Sequence, residues 1–401
     1  MRWPWKQKSK KPVEVKDSYT GDISIDAAID LISKELGSIG GASEAGPTVN
    51  ESTAMNFSAV YACVSLLAGT IASLPFEVFK DNGNSDLEID KTHPAFKLIN
   101  SEPNQAMTAY VFWETIGTEL FLNGNAYAII SRKPNGNPDS VWWLPQKTVT
   151  PFFNPEKTRI WYRVNLGSHQ PVFDQDDILH FPCIGWDGLQ GKSPIKHARE
   201  SIGLGLAGEN FNSKYFTNAI TSNIHIGYPK PLSPDAQIKL KAYLMARNTG
   251  ENKRSPLVTM DDAKVTSLQM NADDAQMMAS RVFQIEDICR FYGVPLHLVS
   301  STEKSTSWGT GIEQQTIGFI MFSFRKRVKM IEQEVNRKLI RSETGYSKLN
   351  LSGLLRGDAA ARGAYYNIMR GGNQLPGIMA TNEIRKVEGL KPLSDPKYDL
   401  P

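Results

Sequence analysis

The chain has 401 residues, 40% of them hydrophobic and 22% charged, with a formal net charge of +3. This composition excludes disorder throughout, a collagen repeat and a disulfide scaffold, and the length allows roughly two or three domains with sizeable cores. The near-zero total is unevenly spread: residues 1–16 set six Lys or Arg against Glu14, and residues 325–341 set seven against Glu332 and Glu334, so two clusters of +5 leave −7 on the rest of the chain. A tight DNA binder gathers its basic charge in one broad patch. This chain does not.

Residues 1–50 pass from the first basic cluster into a run holding Gly37, Gly40, Gly41 and Gly46, and read as a flexible basic arm with one short helix between Ile25 and Leu36. From Phe57, apolar residues recur every three or four positions (Val60, Val64, Leu67, Ile71, Leu74), a buried helix face that Pro75 ends. Ser58, Ser65, Thr70 and Ser73 interrupt this segment too often for a bilayer span. The basic N-terminus is not followed by the apolar core of a signal peptide, so the protein reads as soluble and made in the cytosol. Cys63, Cys183 and Cys289 read as buried thiols of a reducing compartment, without disulfides. Residues 76–80 alternate as a strand, helices are expected over 94–98 and 108–122, and short strands over 126–131, 140–144, 149–153, 160–164 and 178–181.

Pro194 opens a helix reaching about residue 218, in which Gly203, Gly205 and Gly208 imply a close neighbour. Residues 219–272 mix strand pieces (223–228, 255–260, 264–270) with a helix over 234–248. Asp273 and Asp274 suit the first turn of a helix whose Met278, Val282, Ile285, Cys289 and Tyr292 share one face. Beyond a polar loop at 300–311, Ile317, Met321, Phe324, Val328, Ile331, Val335 and Leu339 mark the longest helix, with its basic residues read as a solvated face matched to the helix dipole. Short helices are expected over 351–356, 358–370 and 382–388, the last capped by Thr381. The fold class is α+β.

Chemical motifs are few. Gly185-Trp-Asp-Gly-Leu-Gln-Gly191-Lys192-Ser193 follows a strand and precedes a helix, as a phosphate-cradling loop does, but holds five residues between Gly185 and Gly191 where a P-loop needs four. Pro194 also removes an N–H from the helix end that would receive the anion. The histidines, His93, His169, His180, His197, His225 and His297, form no metal-ligand pair and read as structural. A Gly-x-Ser-x-Gly nucleophile motif is missing, Cys289 reads as core, Asp176-Asp177 and Asp273-Asp274 as caps, and Trp142-Trp143 as packing residues. The residues therefore point to no catalytic group, metal or cofactor.

Taken in order, several segments resemble the portal proteins of tailed double-stranded DNA phages over most of residues 52–395. They are Ala59-Val-Tyr-Ala-Cys-Val through Ile71-Ala-Ser-Leu-Pro75; His93-Pro with Glu102-Pro-Asn104; and Asn123-Gly-Asn-Ala-Tyr-Ala128. Asp177-Ile-Leu-His180, Gly188-Leu-Gln-Gly-Lys-Ser-Pro194, Ile288-Cys-Arg-Phe-Tyr-Gly-Val-Pro295, Leu354-Leu-Arg-Gly-Asp358 and Thr381-Asn-Glu-Ile-Arg385 continue the series. The resemblance implies a non-enzymatic, dodecameric ring at one capsid vertex, present in the virion and assembled in the host cytoplasm, through which DNA is packaged and ejected. The implied portal-type fold is an α/β wing (51–193) after the arm (1–50), a first stem helix (194–217), a small α/β clip (218–272), a channel-lining stem helix (273–293), a tunnel loop (294–311), a long wing helix (312–343) and a helical crown (344–401).

On the same resemblance, Glu303, Lys304 and Trp308 are the DNA-facing tunnel-loop residues, and Asp273, Asp274, Arg281, Glu286, Asp287 and Arg290 line the channel. The clip docking surface for the large terminase subunit and later the head-completion adaptor is assigned to Lys239, Lys241, Arg247, Lys253 and Arg254. Major capsid and scaffolding proteins and double-stranded DNA are further partners, and a membrane is not. The stem set nets −2, which around a ring repels phosphates and lets DNA slide. The alternative is a nucleotide-dependent packaging enzyme using the loop from Gly185 to Ser193.

Overall fold

Two helices with broad apolar stripes form the centre of the molecule. The computed structural model describes residues 41–42, 48–81, 87–167, 169–218, 224–229, 231, 233–247, 264–267, 274–299, 310–342, 345–355, 359–371, 377–388 and 390–399. A two-residue ladder of β1 (Gly41–Ala42) and β2 (Thr48–Val49) leads into α1 (Glu51–Met55), where Asn50 Oδ1 accepts the Thr53 N–H and Thr53 Oγ1 accepts the Asn50 N–H. The central pair is α2 (Ser58–Ser73) and α4 (Ala109–Asn123), separated by β3 (Phe76–Asp81), β4 (Leu87–Ile89) and α3 (Pro94–Asn100). Ala59, Val60, Cys63, Val64, Leu67, Ala68 and Ile71 are the buried stripe of α2, and Phe112, Trp113, Ile116, Leu120 and Phe121 that of α4. At their crossing, a Cβ on Gly117 would lie 2.9 Å from Ala68 Cα, so the backbones touch.

Two small antiparallel sheets follow this pair in the chain. After α4 come β5 (Asn125–Arg132), β6 (Pro138–Leu144), β7 (Val149–Phe153), β8 (Ile160–Val164), β9 (Val172–Asp174) and β10 (Ile178–Pro182), forming sheets of order β10-β5-β6 and β7-β8-β9. Tyr127, Leu144, Val149, Tyr162, Val164, Leu166 and Ile178 fill a second core between the two sheets. The strands expected over 126–131, 140–144, 149–153, 160–164 and 178–181 are found, within two residues at each end.

The expected helix from Pro194 is two helices, α5 (Pro194–His197) and α6 (Arg199–Asn218), joined at Ala198. Of its glycines, Gly205 meets the Phe57 ring, on which a Cβ would sit 2.6 Å away, and Gly208 faces Gln284 of the next long helix. The hairpin β11 (Ile224–Gly227) with β12 (Lys264–Ser267) and α7 (Pro234–Arg247) follow, then α8 (Asp274–Tyr292). The expected strand at 255–260 lies outside the described residues.

The long helix is built from α9 (Thr310–Phe319), a π-turn at Ile320–Phe324, α10 (Arg325–Val335) and a second π-turn at Asn336–Ile340. The first π-turn moves Met321 out of the apolar stripe expected from its spacing: Ile320 is 4% exposed and Met321 48%. The expected solvated basic face also needs correction. Lys338 is buried, and Arg327 turns inward to donate to the Tyr292 and Ser323 carbonyls while lying 5.3 Å from the Phe121 ring centre.

An unexpected strand, β13 (Gly345–Leu349), then pairs with β3 and completes the sheet β13-β3-β4. Short helices α11 (Ser352–Leu355), α12 (Ala359–Met369) and α13 (Thr381–Val387) end the chain. Thr381 is not the cap of α13. Ala380 holds that position, and Glu383 reaches back to accept its N–H.

Candidate functional site

The joint between β5, β10 and the loop leading into α5 is organised by Asn125. Gly124 ends α4 in the left-handed region (φ 77°) and delivers Asn125 to the start of β5. The Asn125 amide clasps Gly191 on both sides, accepting its N–H at 2.7 Å and donating to its carbonyl at 2.8 Å. Asn125 Oδ1 also lies 3.1 Å from His180 Nε2, and His180 Nδ1 lies 3.3 Å from the Tyr162 hydroxyl. Since the amide oxygen only accepts, Nε2 carries the imidazole proton and Nδ1 accepts from Tyr162. Tyr127 stacks on the imidazole at 4.5 Å. Burial, reinforced by the Lys338 charge, depresses the imidazole pKa to about 3, so His180 is neutral and structural, as expected from sequence.

The long helix is fastened to this cluster by a buried ion pair. Glu334 accepts the His180 backbone N–H at 2.8 Å and pairs with Lys338, whose ammonium donates to the Ile178 carbonyl at 2.6 Å. Arg132 spans the same seam, donating to the Lys338 and Asp176 carbonyls. Burial lowers the Lys338 pKa while Glu334 opposes the shift. Sequence reasoning missed both partners. Their i, i+4 spacing was the available signal, but it equally suits an exposed helix pair.

The loop over 183–193 uses its own amides. Asp187 Oδ1 accepts the N–H groups of Leu189 and Gln190, Asn125 takes that of Gly191, and the Ile184 carbonyl takes that of Lys192. Ser193 Oγ donates to the Leu122 carbonyl and accepts the Lys196 N–H at the start of α5. A Cβ on Gly191 would stand 2.1 Å from the Gly124 carbonyl oxygen, so this position admits only glycine. Four successive N–H groups that a phosphate would require are thus spent on protein acceptors, and the loop is a rivet between β5 and α5.

Of the residues assigned to a channel lining from sequence, Arg281 and Asp287 lie on a seam between α6 and α8. Asp287 accepts from Ser201 Oγ at 2.5 Å and from Arg290 at 2.7 Å, while Arg281 lies 4.0 Å from Glu209. The pairs 201/287 and 209/281 run in opposite senses, so the two helices are antiparallel. Arg290 also lies 5.9 Å from the Phe283 ring centre, Glu286 is half-buried, and Asp274 is the first residue of α8. Lys239 and Lys241 are exposed on α7, and Arg247 is its last residue. Asp273, Lys253, Arg254, Glu303, Lys304 and Trp308 lie outside the described residues. The described members of the expected clip and channel-lining sets thus lie on different helices, α7 and α8. Among the described residues, three or more His, Cys, Asp or Glu nowhere cluster as metal ligands, and no helix is long and apolar enough to cross a membrane.

Comparison with known proteins adds three findings. The family described as "Phage portal protein" matches residues 58–389. The portal protein of Enterobacteria phage HK97 is 34% identical over 351 residues, covering 86% of this chain and 81% of that protein, and the probable portal protein of Streptomyces phage phiC31 is 32% identical over 389 residues, covering 90% and 81%. The fold is similar to that of an HK97-family phage portal protein from Corynebacterium diphtheriae (TM-score 0.55, 18% identity, 75% of this chain and 95% of that one). It is also similar to a chain in the neck of a native gene transfer agent particle computed with C12 symmetry (TM-score 0.58, 16% identity, 92% and 100%).

Proposed function

This chain belongs to the phage portal protein family, and we propose that copies of it close into a dodecameric ring whose stem lines a passage for double-stranded DNA. The mixed helix-and-sheet architecture is that of the family, and a tailed-phage portal protein is the reading its relatives support. Similarity to a chain of a C12 neck supports the ring. In this reading the clip, with Lys239, Lys241, Arg247, Lys253 and Arg254, docks the large terminase subunit and then the head-completion adaptor. Glu303, Lys304 and Trp308 approach the DNA. Asp273, Asp274, Arg281, Glu286, Asp287 and Arg290 give each stem a net −2, with Asp287 and Arg281 acting from the helix seam. A mildly acidic wall repels the phosphate backbone and leaves DNA free to move. The ring resides at the capsid vertex of the virion after assembly in the host cytoplasm, with capsid and scaffolding proteins around it.

The observation that carries the structural reading over a packaging ATPase is the 183–193 loop, whose amides are engaged by the protein itself. Light scattering and negative-stain imaging of purified protein test the proposal: rings with a central hole are expected, and a monodisperse 44.6 kDa monomer at micromolar concentration overturns it. ATP turnover abolished by Lys192→Ala would restore the enzymatic alternative.

A further inference from the structure

The long helix changes character at its first π-turn. On the α10 side, Val328, Ile331, Glu332 and Val335 are buried, and Arg327 is bonded to the Tyr292 carbonyl. On the α9 side, no residue from Gly311 to Phe319 is fully buried, and a Cβ on Gly318 would meet nothing within 4 Å. Thr316 Oγ1 on α9 hydrogen-bonds His297 Nε2 at 3.0 Å. Between the two halves, the Arg325 N–H donates to the Ile320 carbonyl, a five-residue step that accommodates one residue more than an α-turn. Ile320 and Phe324 point inward, while Met321 (48%) and Phe322 (78%) are pushed out.

The sequence itself fits a different register. Ile317, Met321, Phe324 and Val328 step by 4, 3 and 4, which is the stripe of an unbroken α-helix with Met321 inside. Ile320 and Met321 are apolar residues of similar size, and methionine adapts to irregular sites, so either can fill the one inward position.

We infer that this helix has two registers: the one described, with the surplus residue held in the π-turn and Ile320 inward, and an α-helical one with Met321 in its place. Passing the surplus residue toward the N-terminus leaves α10 fixed. It rotates α9 by about 100° and advances it about 1.5 Å along its axis, the increments of one helical residue. Ile317 then takes the place of Thr316, and the bond to His297 is exchanged for a regular helical turn. The inference does not depend on the conduit reading.

The test is a cycle on the full-length chain. Where a second register exists, Ile320→Ala is partly rescued by Met321 moving inward, and Met321→Glu, which cannot be buried, blocks the rescue. Ile320→Ala is expected to lower the folding equilibrium constant at least tenfold more in the Met321→Glu background than in the natural sequence; equal losses overturn the inference. Ile320→Val carries the same comparison on a smaller scale where Ile320→Ala fails to fold. A structural readout comes from spin labels on the exposed residues Gln315 and Gln333, with Cys183 changed to serine. Ile320→Ala is expected to shift the distance distribution away from that of Met321→Glu. Identical distributions in the two variants refute the second register.

Discussion

His180 makes acid sensitivity a quantitative test of the joint. The perturbation is a fall in pH from 7 to 5. In the folded protein the imidazole pKa sits at about 3, because burial first and the Lys338 charge second oppose a second proton on a ring already committed to Asn125 and Tyr162. Unfolded, it returns to 6.5. Between those values the unfolded chain binds a proton that the folded chain refuses, so stability is complete above about 6.5 and declines as pH falls toward 3. At 1.36 kcal/mol per pH unit the loss is about 2 kcal/mol at pH 5. The assay is urea unfolding followed by tryptophan fluorescence at pH 7, 6 and 5, on the natural protein and on His180→Gln. The variant keeps a neutral side chain able to both donate and accept, so it is expected to start less stable but to lose this component of the slope. Lys338, Tyr127 and Tyr162, which neighbour the ring, and Glu334, which accepts the His180 backbone N–H, are common to both proteins. Equal pH slopes would refute the reasoning.

Lys338→Met leaves the Glu334 carboxylate buried with only the His180 N–H, and is expected to cost about 3–5 kcal/mol, with part of that loss recovered by adding Glu334→Gln; denaturant midpoints of the two variants measure it. Gly117→Val forces a side chain into the contact with Ala68 and is expected to destabilise by about 1–3 kcal/mol despite improved helix propensity, read as a lower unfolding midpoint at unchanged slope.

Much of the fold is visible in local pattern. The α2 stripe, the stop at Pro75, the strands of the two central sheets and the start of α8 all follow from spacing, proline and charge. The strand β13 does not, because its inward residues are Ser347 and Leu349, and a buried serine gives no apolar alternation to detect. Ser347 is accepted only because Asn336, eleven residues earlier, bonds to it. Met321 misleads because spacing describes an ideal helix and cannot register a surplus residue. Lys338 misleads because its acceptors, Ile178 and Glu334, come together only in the folded chain. The segments around Asn125, His180 and Gly191 were each legible as parts of the family pattern. Their hydrogen-bonded union across 55 and 66 residues was not.

The pairing of β3 with β13 bears on the order of synthesis. Asn350 bonds to Glu77, 273 residues earlier, so the wall opened near the start of the chain is finished only by a strand made near its end. As the nascent chain leaves the ribosome, β3 presents an unpaired edge until residues 345–349 are made. Closing so long an intervening segment is slow because the entropy is lost before the contacts form. A subunit truncated before residue 345 therefore retains an open sheet edge on β3, available for pairing with another chain.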